Sequence, residues 1–83
     1  MQIYNSILEI PFPENSFNPK SSAAMNTLRE IIMGNLRDSH LNPGKRVYEP
    51  TICGIELLSK MYVSSDGYPC IKCQVIYGYV PKN

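Results

Sequence analysis

Residues 51–80, TICGIELLSKMYVSSDGYPCIKCQVIYGYV, contain two β-favouring runs joined by Ser64-Ser65-Asp66-Gly67. Asp-Gly between such runs is a strong short-range hairpin signal. In the first arm, residues 55–63, odd positions hold Ile55, Leu57, Ser59, Met61 and Val63, and even positions hold Glu56, Leu58, Lys60 and Tyr62. In the second arm Ile71, Cys73, Val75, Tyr77 and Tyr79 alternate with Lys72, Gln74, Ile76 and Gly78. Side chains alternate across a strand, so each arm has one apolar side and one mixed side.

Loop length decides whether the two apolar sides coincide. A two-residue loop sets Met61 against Lys72 and Val63 against Cys70, which mixes the faces. An odd-length loop pairs odd positions with odd positions and gathers both apolar sets on one side. A slip of one residue exposes the whole set. The sequence therefore predicts an odd loop, a type I turn in which Gly67 supplies the positive φ of a bulge. The outer face then carries Glu56, Lys60, Tyr62, Lys72 and Gln74, with Leu58 and Ile76 left among them.

A hairpin alone is marginal in water, so its inner face needs a cover. The stretch from about residue 19 or 22 to Asp38 provides one. Ala24, Met25, Leu28, Ile31, Ile32 and Leu36 recur at helical spacing, and Asn26, Arg29, Glu30, Arg37 and Asp38 mark the wet side. Asn18-Pro19 reads as N-cap and first helical residue, with Ser21 or Ser22 as the alternative cap. Gly34 inside this run costs about 1 kcal/mol relative to Ala unless a neighbour requires close approach.

Upstream, Gln2 to Ile10 reads as a strand ended by Pro11 and Pro13. Its alternation places Tyr4, Ser6, Leu8 and Ile10 on one side and Ile3 and Ile7 on the other. Apolar residues on both sides suit a strand covered twice, or one whose outer side meets a partner. Phe12 and Phe17 staple the following loop to the core. Downstream of the helix, Asn42-Pro43-Gly44 reads as a type II turn, and Val47-Tyr48 as a short strand that Pro50 ends. The order is βαββ. The fold class is α+β: a small two-layer domain spanning residues 1–83, one amphipathic helix packed on a three- to four-stranded, mainly antiparallel sheet.

Composition narrows the function classes. Eight basic and seven acidic residues leave a net charge of +1, too little to attract a polyelectrolyte by bulk charge. No apolar run approaches the ~20 residues of a membrane span. The start, MQIYNSILEI, lacks a basic segment and a long apolar centre. Three cysteines without an export signal point to a reducing, cytoplasmic compartment.

Several constellations carry possible chemistry. His40, Cys53, Cys70 and Cys73 have the residue types of a Cys3His zinc site. Cysteines three apart on a regular strand point to opposite faces, so Cys70 and Cys73 share an ion only if the backbone turns there. The plainer reading makes Cys53 and Cys73 small core residues. A redox pair wants its first cysteine at a helix start, and Cys70 lies in a strand run. Lys45, Arg46, Lys60, Tyr62 and Lys72 could form a face for single-stranded nucleic acid, weakened by Glu49 and Glu56. No glycine-rich phosphate loop and no carboxylate pair at catalytic spacing appears. The leading expectation is a non-enzymatic protein-interaction module without a cofactor. It would bind a protein partner or itself, as a homodimer, through Leu58, Lys60, Tyr62, Lys72, Gln74 and Ile76 and an uncovered strand edge. Nucleic-acid binding and a zinc-stabilised module are the alternatives.

Overall fold

The computed structural model describes residues 1–82. Its elements are β1 (Tyr4–Pro11), α1 (Ser22–Arg37), β2 (Tyr48–Leu57), β3 (Tyr62–Val63) and β4 (Pro69–Pro81). One helix packs on a four-stranded antiparallel sheet of order β1-β4-β2, with β3 also paired to β4. This is the small α+β architecture expected from the sequence. Both β1 and β2 run antiparallel to β4, so they are parallel to each other with β4 between them.

The hairpin turn has the expected odd length. Ser64 and Tyr68 close it through Ser64 N to Tyr68 O at 2.9 Å, and Gly67 N donates to Ser64 O at 2.9 Å. Gly67 has φ +86°, the left-handed conformation that closes a type I turn with a bulge. Odd residues consequently face odd residues, Ile55 opposite Val75 and Leu57 opposite Cys73.

The first arm departs from the expected one. It begins at Tyr48 and runs straight through Pro50, which pairs with Tyr79. The reason lies in which way the backbone points. Lys82 N donates to Val47 O, so in this part of the ladder the odd residues of β2 bond to β4. The even ones, Pro50 included, face the free edge, where a missing N–H costs nothing. A bulge at Cys53 then shifts the register between Ile52 and Gly54. Residues 58–61 leave the ladder, and the arm resumes only as β3. Between Leu57 and Tyr62 this arm holds two residues more than β4 does, which preserves parity. Val63, expected in the core, is 69% exposed. It sits beside the turn opposite Pro69, beyond the reach of the helix.

The helix buries Leu28, Ile32 and Leu36, at successive four-residue intervals. They meet Ile10, Phe12, Ile71, Cys73, Val75, Tyr77 and Tyr79, with Phe17, Met25, Ile31, Ile52, Ile55, Leu57 and Met61 packed around them. Phe12 and Phe17 join in an edge-to-face pair with ring centres 5.1 Å apart, the staple expected of them. Ser21, not Asn18, is the N-cap, and its hydroxyl accepts from Ala24 N at 3.3 Å. Asn18 instead shapes the preceding turn, accepting from Lys20 N on its side chain and from Ser21 N on its carbonyl. At the other end Asp38 N donates to Gly34 O.

The Asn42-Pro43-Gly44 turn is not type II, because Gly44 lacks the positive φ that type requires. Side-chain bonds replace it. Asn42 Oδ1 accepts from Gly44 N and Asn42 Nδ2 donates to Arg37 O, both at 3.0 Å. No helix among the described residues is long and apolar enough to cross a membrane.

Candidate protein-interaction surface

With all helical cover on one side, the other side of the sheet has no second layer among the described residues. Even residues of β4 point there: Lys72, Gln74, Ile76 and Gly78. Pairing brings β1 residues Glu9, Ile7 and Asn5 beside the first three of these. It also brings Gly54 and Glu56 beside Ile76 and Gln74 from β2. Leu58 N donates to Lys72 O at 2.8 Å, which holds Leu58 at the end of this row. Three aliphatic side chains stand out on the face: Ile7 at 64% exposure, Leu58 at 42% and Ile76 at 39%. An isolated exposed aliphatic residue is ordinary, but aliphatic side chains sharing one uncovered sheet face form a surface suited to contact.

The polar groups on this face bond to one another. Gln74 Nε2 donates to Asn5 Oδ1 at 2.9 Å. The Tyr62 hydroxyl donates to Glu9 Oε2 at 2.5 Å. That bond, foremost, pushes the Tyr62 phenol above its ordinary pKa. Lys72 N donates to the Ser59 hydroxyl at 3.1 Å, tying the irregular 58–61 segment back to β4. These bonds satisfy polar groups of the face within the chain itself.

Of the residues expected on the outer face, Leu58, Lys72, Gln74 and Ile76 lie on it together. Tyr62 is half-buried, its side chain lying across the strands to reach Glu9 from beyond β4. Lys60 stands in the irregular segment and lines a small recess with Phe17, Pro19, Leu57 and Met61. The outer-face contribution of β1, Asn5, Ile7 and Glu9, belongs to the same surface. Alternation within residues 2–10 already set Ile3 and Ile7 apart from the inner side; what was missing was the pairing of β1 with β4.

The nucleic-acid set does not converge. Lys45 and Arg46 lie in the loop before β2, near Lys82, whose Nζ donates to Lys45 O. Lys72 is ten residues back along β4, roughly 30 Å away at the usual strand rise. Lys45 is also engaged, with Nζ 2.8 Å from Asp38 Oδ1. That hydrogen bond is the main cause holding the Asp38 carboxyl below its ordinary range.

The metal set is scattered as well. Cys73 is buried in the core, while Cys70, on the opposite side of β4, donates its thiol to Tyr62 O at 3.5 Å. Pro69 starts β4 in extended form, so no turn brings the two sulfurs to one side. Cys53, expected as a core residue, is exposed at the β2 bulge, because the extra residue of a bulge falls out of the in-and-out alternation. His40 follows the helix, exposed, beside Ser39 and Leu41. Among the described residues no three His, Cys, Asp or Glu side chains are placed to hold one ion.

The two free edges of the sheet differ. The β2 edge carries Pro50, the Cys53 bulge and the break at 58–61, all features that discourage further pairing. The β1 edge is regular for eight residues. Phe12 N donates to Pro69 O, so the even residues of β1 bond to β4. The N–H and C=O groups of Asn5, Ile7 and Glu9 therefore point outward. Beside this edge, on the helix side, a groove of about 430 Å³ opens between Ser6, Leu8 and Ile10 and the Asn35, Ser39, His40 and Leu41 side chains. No protein-family model matches the chain, and neither the curated proteins nor the solved structures include a match to it.

Proposed function

We propose that this chain is a small, non-enzymatic protein-interaction module, binding a protein, a second copy included, through its outer sheet face and the β1 edge. One observation carries the reading: Ile7, Ile76 and Leu58 stand exposed on a broad sheet face that no helix or strand among the described residues covers. Aliphatic side chains on an open sheet face gain most by meeting another apolar surface, about 25 cal/mol per Å² removed from water. The internal pairing of Asn5 with Gln74 and of Glu9 with Tyr62 supports it further, since these groups need no new partner when the face is covered. Three free cysteines on different sides of the fold accord with a reducing compartment.

Site-specific photo-crosslinking in the producing cells tests this reading. A photoreactive residue at Ile76 is compared with one at Arg29, on the exposed side of the helix. Protein adducts at position 76 that are absent at position 29 are expected. Equal labelling at both, or none at 76, overturns the proposal.

A further inference from the structure

We propose that the β1 edge pairs with the β1 edge of a second copy, antiparallel, with Ile7 on the two-fold axis. The inference rests on the interaction reading above and names the partner and the register.

The edge itself says what covers it. Asn5, Ile7 and Glu9 present unpaired backbone donors and acceptors along a regular strand, with no lysine, bulge or internal proline to repel another. Such a row is satisfied by a strand. Because the outward-facing groups all belong to odd residues, antiparallel partners must match odd with odd. That match keeps outer side chains on the outer face of both copies, and a continuous sheet results.

Among such registers, centring on Ile7 suits these side chains best. The most exposed isoleucine of the strand then meets its own symmetry mate. Glu9, the strand's one charged residue, faces Asn5 of the second copy, an amide donor, and not another carboxylate. On the inner side Leu8 faces Ser6. Centring on Ser6 would set Ile3 against Glu9, and centring on Asn5 would leave Glu9 beyond the ladder. Isologous contact of this kind closes after two copies.

The helix layer permits the approach. The groove between β1 and the helix C-terminal region, about 430 Å³, lies beside the strand on the inner side. It leaves room for the inward side chains of an added strand, the arrangement used when extended segments join a sheet edge. A ladder of one short strand buries little surface, so the dimer is a weak one at the low end of specific interfaces.

Sedimentation equilibrium of the full chain over a wide concentration range tests this, together with disulfide trapping. The wild type is expected to show a reversible monomer–dimer equilibrium. Ile7→Lys places two like charges across the axis and should raise the dissociation constant roughly tenfold or more. Its exposed position leaves the circular dichroism unchanged. Ile7→Cys in a Cys53→Ser background should form a disulfide dimer on mild oxidation, since residues opposite in a hydrogen-bonded pair have Cα atoms about 5.5 Å apart. Arg29→Ala, on the exposed side of the helix, should leave the equilibrium unchanged.

A strictly monomeric chain overturns the inference, as does trapping through Asn5→Cys in place of Ile7→Cys. A dimer broken by Leu58→Lys and untouched by Ile7→Lys overturns it too, while leaving the outer-face reading intact. Adducts at position 76 to a different protein, with the purified chain monomeric, separate the two in the same way.

Discussion

The Tyr79 hydroxyl donates to the carbonyl oxygen of Leu36 at 2.6 Å, inside the fold. Leu36 lies in the last turn of α1, where helix carbonyls lack intrahelical partners. The bond thus joins the end of the helix to the far end of β4. Ser39 N also reaches Leu36 O, at 3.3 Å, so the carbonyl retains one partner when the phenol is lost. Tyr79→Phe should cost about 0.5–1.5 kcal/mol in a urea unfolding experiment. An unchanged midpoint would show that this bond does not hold the helix.

Two glycines should respond in opposite directions to alanine. A Cβ at Gly34 would meet nothing within 4 Å, and the position is mid-helix. Gly34→Ala should stabilise by about 0.5–1 kcal/mol, through helix propensity and a less flexible unfolded chain. At Gly78 a Cβ would lie 2.6 Å from Met1 Sδ and 2.9 Å from the Gln2 carbonyl oxygen. Methionine can move aside, but backbone cannot without releasing the segment before β1. Gly78→Ala should lower the thermal midpoint, whereas Gly34→Ala raises it; calorimetry of both reads the sign directly.

Truncations will separate the core from the arm that leaves it. Leu28 is fully buried between helix and sheet, so Leu28→Ala should cost about 2–5 kcal/mol. Val63 continues the same in-and-out pattern in sequence yet lies in the open. Val63→Ala should change stability by less than about 0.5 kcal/mol. Comparable losses at the two sites in chemical denaturation would place Val63 in the core after all.

Stability should fall at both extremes of pH, more steeply on the alkaline side. Burial raises Tyr79 above its ordinary 10.0 and Cys73 above 9.0. Tyr62 is raised chiefly by its bond to Glu9. Each of these groups keeps its proton longer in the folded chain than in the unfolded one. Their stabilisation is complete below the unfolded values, 9.0 to 10.0, and is lost as pH rises through the higher folded values. On the acid side the carboxyls of Asp38 and Glu49 are lowered from 3.8 and 4.5, by hydrogen bonds from Lys45 and Arg37 first. Their contribution is present above those values and is lost as pH falls through the depressed ones. Both ion pairs are solvent-exposed, so the acid limb should be shallow and weakened by salt. Unfolding midpoints measured across pH, with Tyr79→Phe flattening the alkaline limb, check both directions.

The hairpin parity, the capped amphipathic helix and the identity of the inner face were legible in the order of residues. They rest on local physics: alternation of two along a strand, recurrence of three and four along a helix, and one glycine free to take a positive φ at position 67. Apolar burial then makes one loop parity far better than the other, which is why Ile55, Leu57, Ile71, Val75 and Tyr77 share one side.

Tertiary structure alone decided three other matters. It placed β4 between β1 and β2, and so brought Asn5 and Ile7 onto the face of Ile76. It carried the first arm through Pro50, since only edge position makes an absent N–H harmless. It also left Val63 uncovered, because the pattern of one strand does not reveal where its cover ends. Strand order and the reach of a layer depend on contacts between residues far apart in the chain. Those contacts are chosen by the packing of the whole molecule, and no short stretch encodes them.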